Sequence, residues 1–458
     1  MKTTLIKNAT IINEGEIFKG SLLIKDEFID SIIKNNDPNR ELNSTFAEQV
    51  PTADIEIDAE NLILIPGVID THVHFRQPGL THKGDISSES RAAVAGGVTS
   101  FMDMPNTIPQ TTAIEELEQK FELAEHHSYA NYSFYIGATN YNLKELLKIN
   151  PENVCGIKLF MGSSTGNMLV DEKQALINIF KEAKMLIAAH CEDELTIKTN
   201  TEKYLNIYGE DVPFKYHTSI RNEEACYNSS ALAVELAEKY NSRLNILHLS
   251  TERELSLLKN DIPLEMKRIT GEVCVHHLWF DDTFYDKLEW RIKCNPSIKT
   301  VNDREALRNA IIDNKLDLIS TDHAPHTLEE KKQSYFKSPS GIPLVQHSLP
   351  AILELTKQGI FTIEKVVEKM CHAPAKLFRI KKRGFIRKGY YADIVLINKD
   401  KIWTAKDDLS LYKCKWTPFS EINFSNQITH TFINGHLAYQ EGKFNDFVHG
   451  KRLLFRSS

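Results

Sequence analysis

From about residue 62 to residue 321 the chain alternates short apolar runs with amphipathic stretches, and this alternation constrains its fold more than any other feature. The apolar runs lie at 62–75, 97–104, 132–138, 155–161, 185–190, 243–249, 271–280 and 316–321, and have the length of buried strands. Between them, segments such as 112–127, 171–184, 219–240 and 302–314 carry helical periodicity. Repeated strand-then-helix units impose a parallel sheet, because each helix returns the chain before the next strand begins. About eight such units predict an α/β fold of the (β/α)8 TIM-barrel type. The run at 271–280, with 291–295 beside it, fits the pattern least well.

The flanks read differently. Leu5-Ile6, Ile11-Ile12 and Leu22-Leu23-Ile24 are strand-like, separated by turns at Glu14-Gly15 and Lys25-Asp26-Glu27. Residues 34–54 are polar and irregular, as in a loop. After residue 380, Gly384-Phe385-Ile386, Ala392–Ile397 and Thr429–His436 again read as β, and Asn434-Gly435 is a hairpin turn. Neither flank can bury much alone. The expected division is therefore 1–61 and 381–458 forming one small β-sandwich beside a barrel of 62–380.

A chain of 458 residues accommodates both parts. Its net charge of −7 gives no basic footprint for nucleic acid, and no apolar run has the length of a membrane span. Lys381-Lys382-Arg383 reads as a solvated turn. Seven cysteines, odd in number and without CxxC spacing, fit a reducing cytoplasm, as does a start that runs straight into strand-like alternation. Gly162–Gly166 lacks the Gly-Lys-Ser/Thr of a phosphate loop and is read as the loop leaving the 155–161 strand.

In such barrels, reactive side chains gather at the C-terminal ends of the strands. His72 and His74 end the first run, two apart, so both imidazoles face one side of a strand. Such a pair is well placed to bind a metal ion. Lys158 sits within an apolar run, where burial would favour its neutral amine. His190, His248 and Asp322 each end a further run. One histidine at a strand end is usually packing. Four histidines, a lysine and an aspartate at predicted strand ends are not.

These stretches (PGVIDTHVHFRQPG, GIKLFMG, AHCED, LHLST and STDHAPH) resemble the cyclic amidohydrolases: dihydroorotases, allantoinases and hydantoinases. The resemblance spans nearly the whole chain. It implies two zinc ions, one held by His72, His74 and Asp322, the other by His190 and His248, with carboxylated Lys158 bridging them. It also implies that Asp322 relays the proton during hydrolysis of a cyclic amide. Within the group the dihydroorotases are most similar, and they place an arginine and an asparagine where Arg76 and Asn106 stand, to hold the substrate carboxylate. Asn295 and His326 resemble two further substrate contacts. The resemblance implies a small-molecule substrate, with homodimers frequent in the family and aspartate transcarbamoylase as an associated enzyme. Two stretches depart from the family: Asn295-Pro296-Ser297-Ile298-Lys299 and Gly341-Ile342-Pro343-Leu344-Val345-Gln346. The rival readings are another cyclic amidase, or a silent scaffold homologue, against which all six metal-type positions are filled. His276-His277 reads as structural, and His82, His126, His127, His217 and His372 have no constellation around them.

Overall fold

The structure, a computed structural model, describes residues 2–35, 53–162, 168–445 and 450–456. The expected barrel is present. Its strands are Val68–Val73, Val98–Asp103, Asn131–Phe134 continuing as Ile136–Gly137, Ile157–Phe160, Ile187–His190, Leu244–Ile246, Ile269–Cys274 and Leu318–Ser320. Each pairs in parallel with the next. The ring closes between its first and last strands, where Val73 bridges to His323 and the His74 amide donates to the His323 carbonyl at 2.7 Å.

The run at 271–280 is not one strand. It is the seventh strand, Ile269–Cys274, followed at once by the helix Val275–Trp279, and the neighbouring Glu289–Ile292 is a 3₁₀ turn. Apolar character alone does not separate a buried strand from a buried helical turn. The run at 62–75 also divides. Ile63–Pro66 pairs with Thr10–Ile11 and with residues 394–397 in the terminal sheet, and only Val68–Val73 enters the barrel. The crossing point is Gly67, where a Cβ would lie 2.0 Å from Thr99 Oγ1, so only glycine fits. The barrel thus begins after Gly67 rather than at 62.

Both ends of the chain meet in one nine-stranded sheet. Thr3–Asn13, Glu16–Lys25 and Phe28–Lys34 form a meander, and Ile394–Asn398, Gln427–Ile433 and His436–Gln440 join it through Ile63–Pro66. Its core is aliphatic, with Ile6, Ile11, Leu22, Leu64, Ile394 and Phe432 fully or almost fully buried. Asn434-Gly435 forms the expected hairpin turn, with φ of 50° and 79°. Three other expectations change. Gly384-Phe385-Ile386 is irregular, and Arg383 is buried against Asp393 rather than solvated. Residues 399–426 leave the sheet and pack on the barrel, with Tyr412, Trp416, Phe419 and Phe424 fully buried. A run of aromatics on a polar excursion finds its burial on the nearest apolar surface. Of the loop expected at 34–54, residues 36–52 lie outside the described residues, as do 163–166 of the loop after the fourth strand.

The C-terminal segment 450–456 straps the two parts together. Gly450 and Leu453 donate to the carbonyls of Ser128 and Tyr132, Lys451 pairs with Glu27, and Arg452 forms a two-pronged ion pair with Glu118. No described helix is long and apolar enough to cross a membrane.

Candidate active site

At the C-terminal mouth of the barrel, short strands end in polar side chains that have no room to spread. His72 lies within the first strand, and His74 just beyond it. Their Nε2 atoms lie 3.2 and 3.0 Å from one oxygen of Asp322, which follows the eighth strand. Opposite, His190 Nδ1 and His248 Nε2 stand 2.9 Å apart. Lys158, in the fourth strand, is buried with its amine over the Phe160 ring.

The histidines are aimed from behind. His72 Nδ1 is held by Glu272 at 2.8 Å, and His74 Nδ1 by Asn106 Oδ1 at 2.7 Å, which turns both Nε2 atoms toward Asp322. His190 Nε2 lies 3.0 Å from Glu192, itself paired with Arg221 at 2.6 Å, so Nδ1 faces inward. Donor atoms bound at about 2.0–2.1 Å to one tetrahedral ion stand roughly 3.3 Å apart. The separations at Asp322 match that spacing, and the donors of His72, His248 and Asp322 all lie within 4.8 Å of one another. The residues therefore fit a metal centre of imidazole and carboxylate ligands.

Burial would raise the Asp322 carboxyl, but His72 and His74 outweigh it and hold it well below the usual carboxylate range. Burial lowers the Lys158 amine to about 8, against the pull of Asp322 and Glu272, so its neutral form is far more accessible than in a free lysine. Burial lowers Arg76 to about 10, where it is still a cation at neutral pH. Backbone strain collects here too: Arg76, His248 and Asp322 have φ of 68°, 39° and 48°, a region that side chains disfavour.

All ten residues singled out in the sequence line one cavity: His72, His74, Arg76, Asn106, Lys158, His190, His248, Asn295, Asp322 and His326. Arg76 donates from Nε to the Pro325 carbonyl at 3.0 Å, and its guanidinium lies 3.1 Å from His326 Nε2. Lys83 approaches the other nitrogen of that ring at 3.1 Å. Asn106 Oδ1 is engaged by His74, so its amide nitrogen is the end suited to an anion. Asn295 Oδ1 is buried without a partner. Phe160, Ala324, Ser340 and Gly341 complete the wall, and Gly341 (φ 135°) passes so close to His326 that a Cβ would lie 3.1 Å from the ring. Sequence reasoning missed Glu272, Glu192 and Lys83. Glu272 had a signal, a lone acid in the apolar run Ile269–Cys274. His276 and His277 follow that strand and are buried, and their donor atoms and Cys274 Sγ lie within 4.8 Å of one another.

A barrel mouth that gathers imidazoles, a carboxylate and a buried lysine belongs to the class of hydrolases that activate water against a carbonyl. Within that class, the chain belongs to the amidohydrolase family, whose model matches residues 63–438. It is an enzyme, a cyclic amidohydrolase. The dihydroorotase of Methanosphaera stadtmanae is 31% identical over 429 residues, covering 93% of this chain and 96% of that enzyme. The dihydroorotase of Bacillus subtilis is 31% identical over 451 residues, covering 96% and 99%. Among solved structures, the L-hydantoinase (dihydropyrimidinase) of Arthrobacter aurescens matches with a TM-score of 0.91 at 22% identity, across 100% of both chains. At that identity the likeness describes the fold.

Proposed function

We infer that the chain is a dihydroorotase, interconverting dihydroorotate and N-carbamoyl-L-aspartate in pyrimidine synthesis. The observation that carries this reading is Arg76: a buried cation in the same cavity as the histidine–aspartate cluster, fixed before any ligand arrives. A neutral ring has no use for such a group, whereas a ring carboxylate requires one. Relatives of that name at about the same length support it.

Two zinc ions would be held by His72, His74 and Asp322 and by His190 and His248, with carboxylated Lys158 between them. When bound they would lower the pKa of water and polarise the ring carbonyl. Asp322 accepts the proton of the attacking water and returns it to the departing ring nitrogen. Arg76, the Asn106 amide and His326 seat the carboxylate, and Asn295 offers its unpartnered oxygen to the ring N–H. Glu272 and Asn106 keep the imidazoles aimed while this happens. A cytoplasmic enzyme, a homodimer and an association with aspartate transcarbamoylase belong to the same proposal.

The test is turnover of dihydroorotate by zinc-loaded protein, with dihydrouracil and allantoin in parallel. Activity on dihydroorotate, lost with chelator and restored by zinc, is the expected result. Activity on either other ring, but none on dihydroorotate, overturns the assignment.

A further inference from the structure

A second cavity, of about 450 Å³, opens at the opposite end of the barrel from the histidine cluster. Its wall includes Leu186, Arg243 and Arg268, each immediately before a barrel strand, and residues that link the last barrel helix to the terminal sheet. Pockets at such junctions are a usual place for ligands. This one is cationic. Lys267, Lys376, Arg383 and Arg387 in its wall are each matched by a carboxylate: Asp317, Glu265, Asp393 and Glu14. Arg243, Arg268, Arg379 and Arg456 have no carboxylate within ion-pair distance among the described residues.

A structural role covers part of this. Arg243 and Arg268 donate to the Leu377 and Asn241 carbonyls at two helix ends, where a cation is favoured. That leaves Arg379 and Arg456 without a reason to gather beside them. Arg379 also has φ of 59°, at a helix C-terminus where glycine or asparagine is the usual residue. Burial foremost, then Arg379 and Arg268, lowers Arg243 to about 10, so the cluster repels itself.

We propose that this cavity binds a phosphate chain, a diphosphate or triphosphate, free or carried by a nucleotide, with these four arginines as its donors. Guanidinium forks match phosphate oxygens in pairs, and four of them offer donors to more than one phosphate. The aromatic rings of the wall are already engaged: Arg387 lies over both Phe385 and Tyr390, and His372 stacks on Phe385. The cavity therefore offers charge rather than an open ring face.

Calorimetric titration of the full-length protein with inorganic pyrophosphate and with ADP tests this. Saturable binding of one anion per chain is expected, weakened at least about tenfold in Arg268→Gln/Arg379→Gln, which removes two charged donors. Equal affinities assign the site to the chain itself; tighter ADP assigns it to a nucleotide. That variant should hydrolyse its ring substrate as before, because neither residue lines the histidine cavity. Should the double variant fail to fold, the unfolding temperature of the natural chain must still rise with pyrophosphate. No saturable binding of either anion, unchanged affinity in the variant, or a flat thermal response overturns the proposal.

Discussion

Arg76 shows how far a buried side chain is held by its surroundings. Pro325 and His326 fix its fork, and Asp103 below accepts from the Phe75 amide at 2.7 Å. Removing the charge in Arg76→Ala should cut kcat/KM on dihydroorotate by about 10²-fold or more, with metal content unchanged. Arg76→Lys should not restore it, because a point charge lacks the fork. Glu272→Gln should weaken metal binding by about 10–100-fold in competition with a chelator, since it loosens the grip on His72. Asp103 and Lys120 form a buried pair at 2.5 Å, and Lys120→Met should destabilise by about 3–5 kcal/mol in denaturant unfolding by stranding the carboxylate. The inward-facing residues were legible because histidine, lysine and aspartate are out of place in apolar runs. Their supports were not. Glu272 meets His72 across 200 positions, and only the closure of the barrel brings the two together.

Among elements, the segment 331–341, which reaches the cavity wall at Ser340 and Gly341, is pinned by two lysines. Lys331 donates to the carbonyls of Lys293, Pro339 and Gly341, and Lys293 to those of Tyr335 and Ser338. In sequence Lys331 belongs to Glu329-Glu330-Lys331-Lys332 and looks solvated, because periodicity does not show which loop folds back over which. Burial, and after it Arg221, lowers Lys293 to about 7. The neutral amine still has two hydrogens for its two carbonyls. Between pH 7 and about 10 the unfolded chain keeps a proton at this lysine that the folded chain has released, so stability rises with pH. The denaturant midpoint should therefore climb from pH 7 to pH 9, and climb less in Lys293→Met. Regular elements were read well where turn chemistry is local, as at Asn434-Gly435. They were misread where a boundary depends on a distant partner, as at Gly67 and Cys274.

For the whole molecule, alternation of strand and helix was enough to give the barrel, and the returning β pattern was enough to join the two ends. The excursion 399–426 was not foreseen, since its aromatics declare burial but not the surface that buries them. The strap at 450–456 holds barrel to sheet through Glu118, Glu27 and the edge of the third strand. Ending the chain after residue 449 should lower the unfolding temperature by several degrees and separate one transition into two, seen by calorimetry. The excursion has a different consequence. Trp416 donates from its indole to the carbonyl of His326 at 2.7 Å, so the wall of the histidine-lined cavity leans on a residue synthesised 90 positions later. A nascent chain of 400 residues already holds all ten cavity residues but not this brace. Activity on the ribosome should thus lag behind completion of the barrel, and appear only when the last stretch has emerged and folded back.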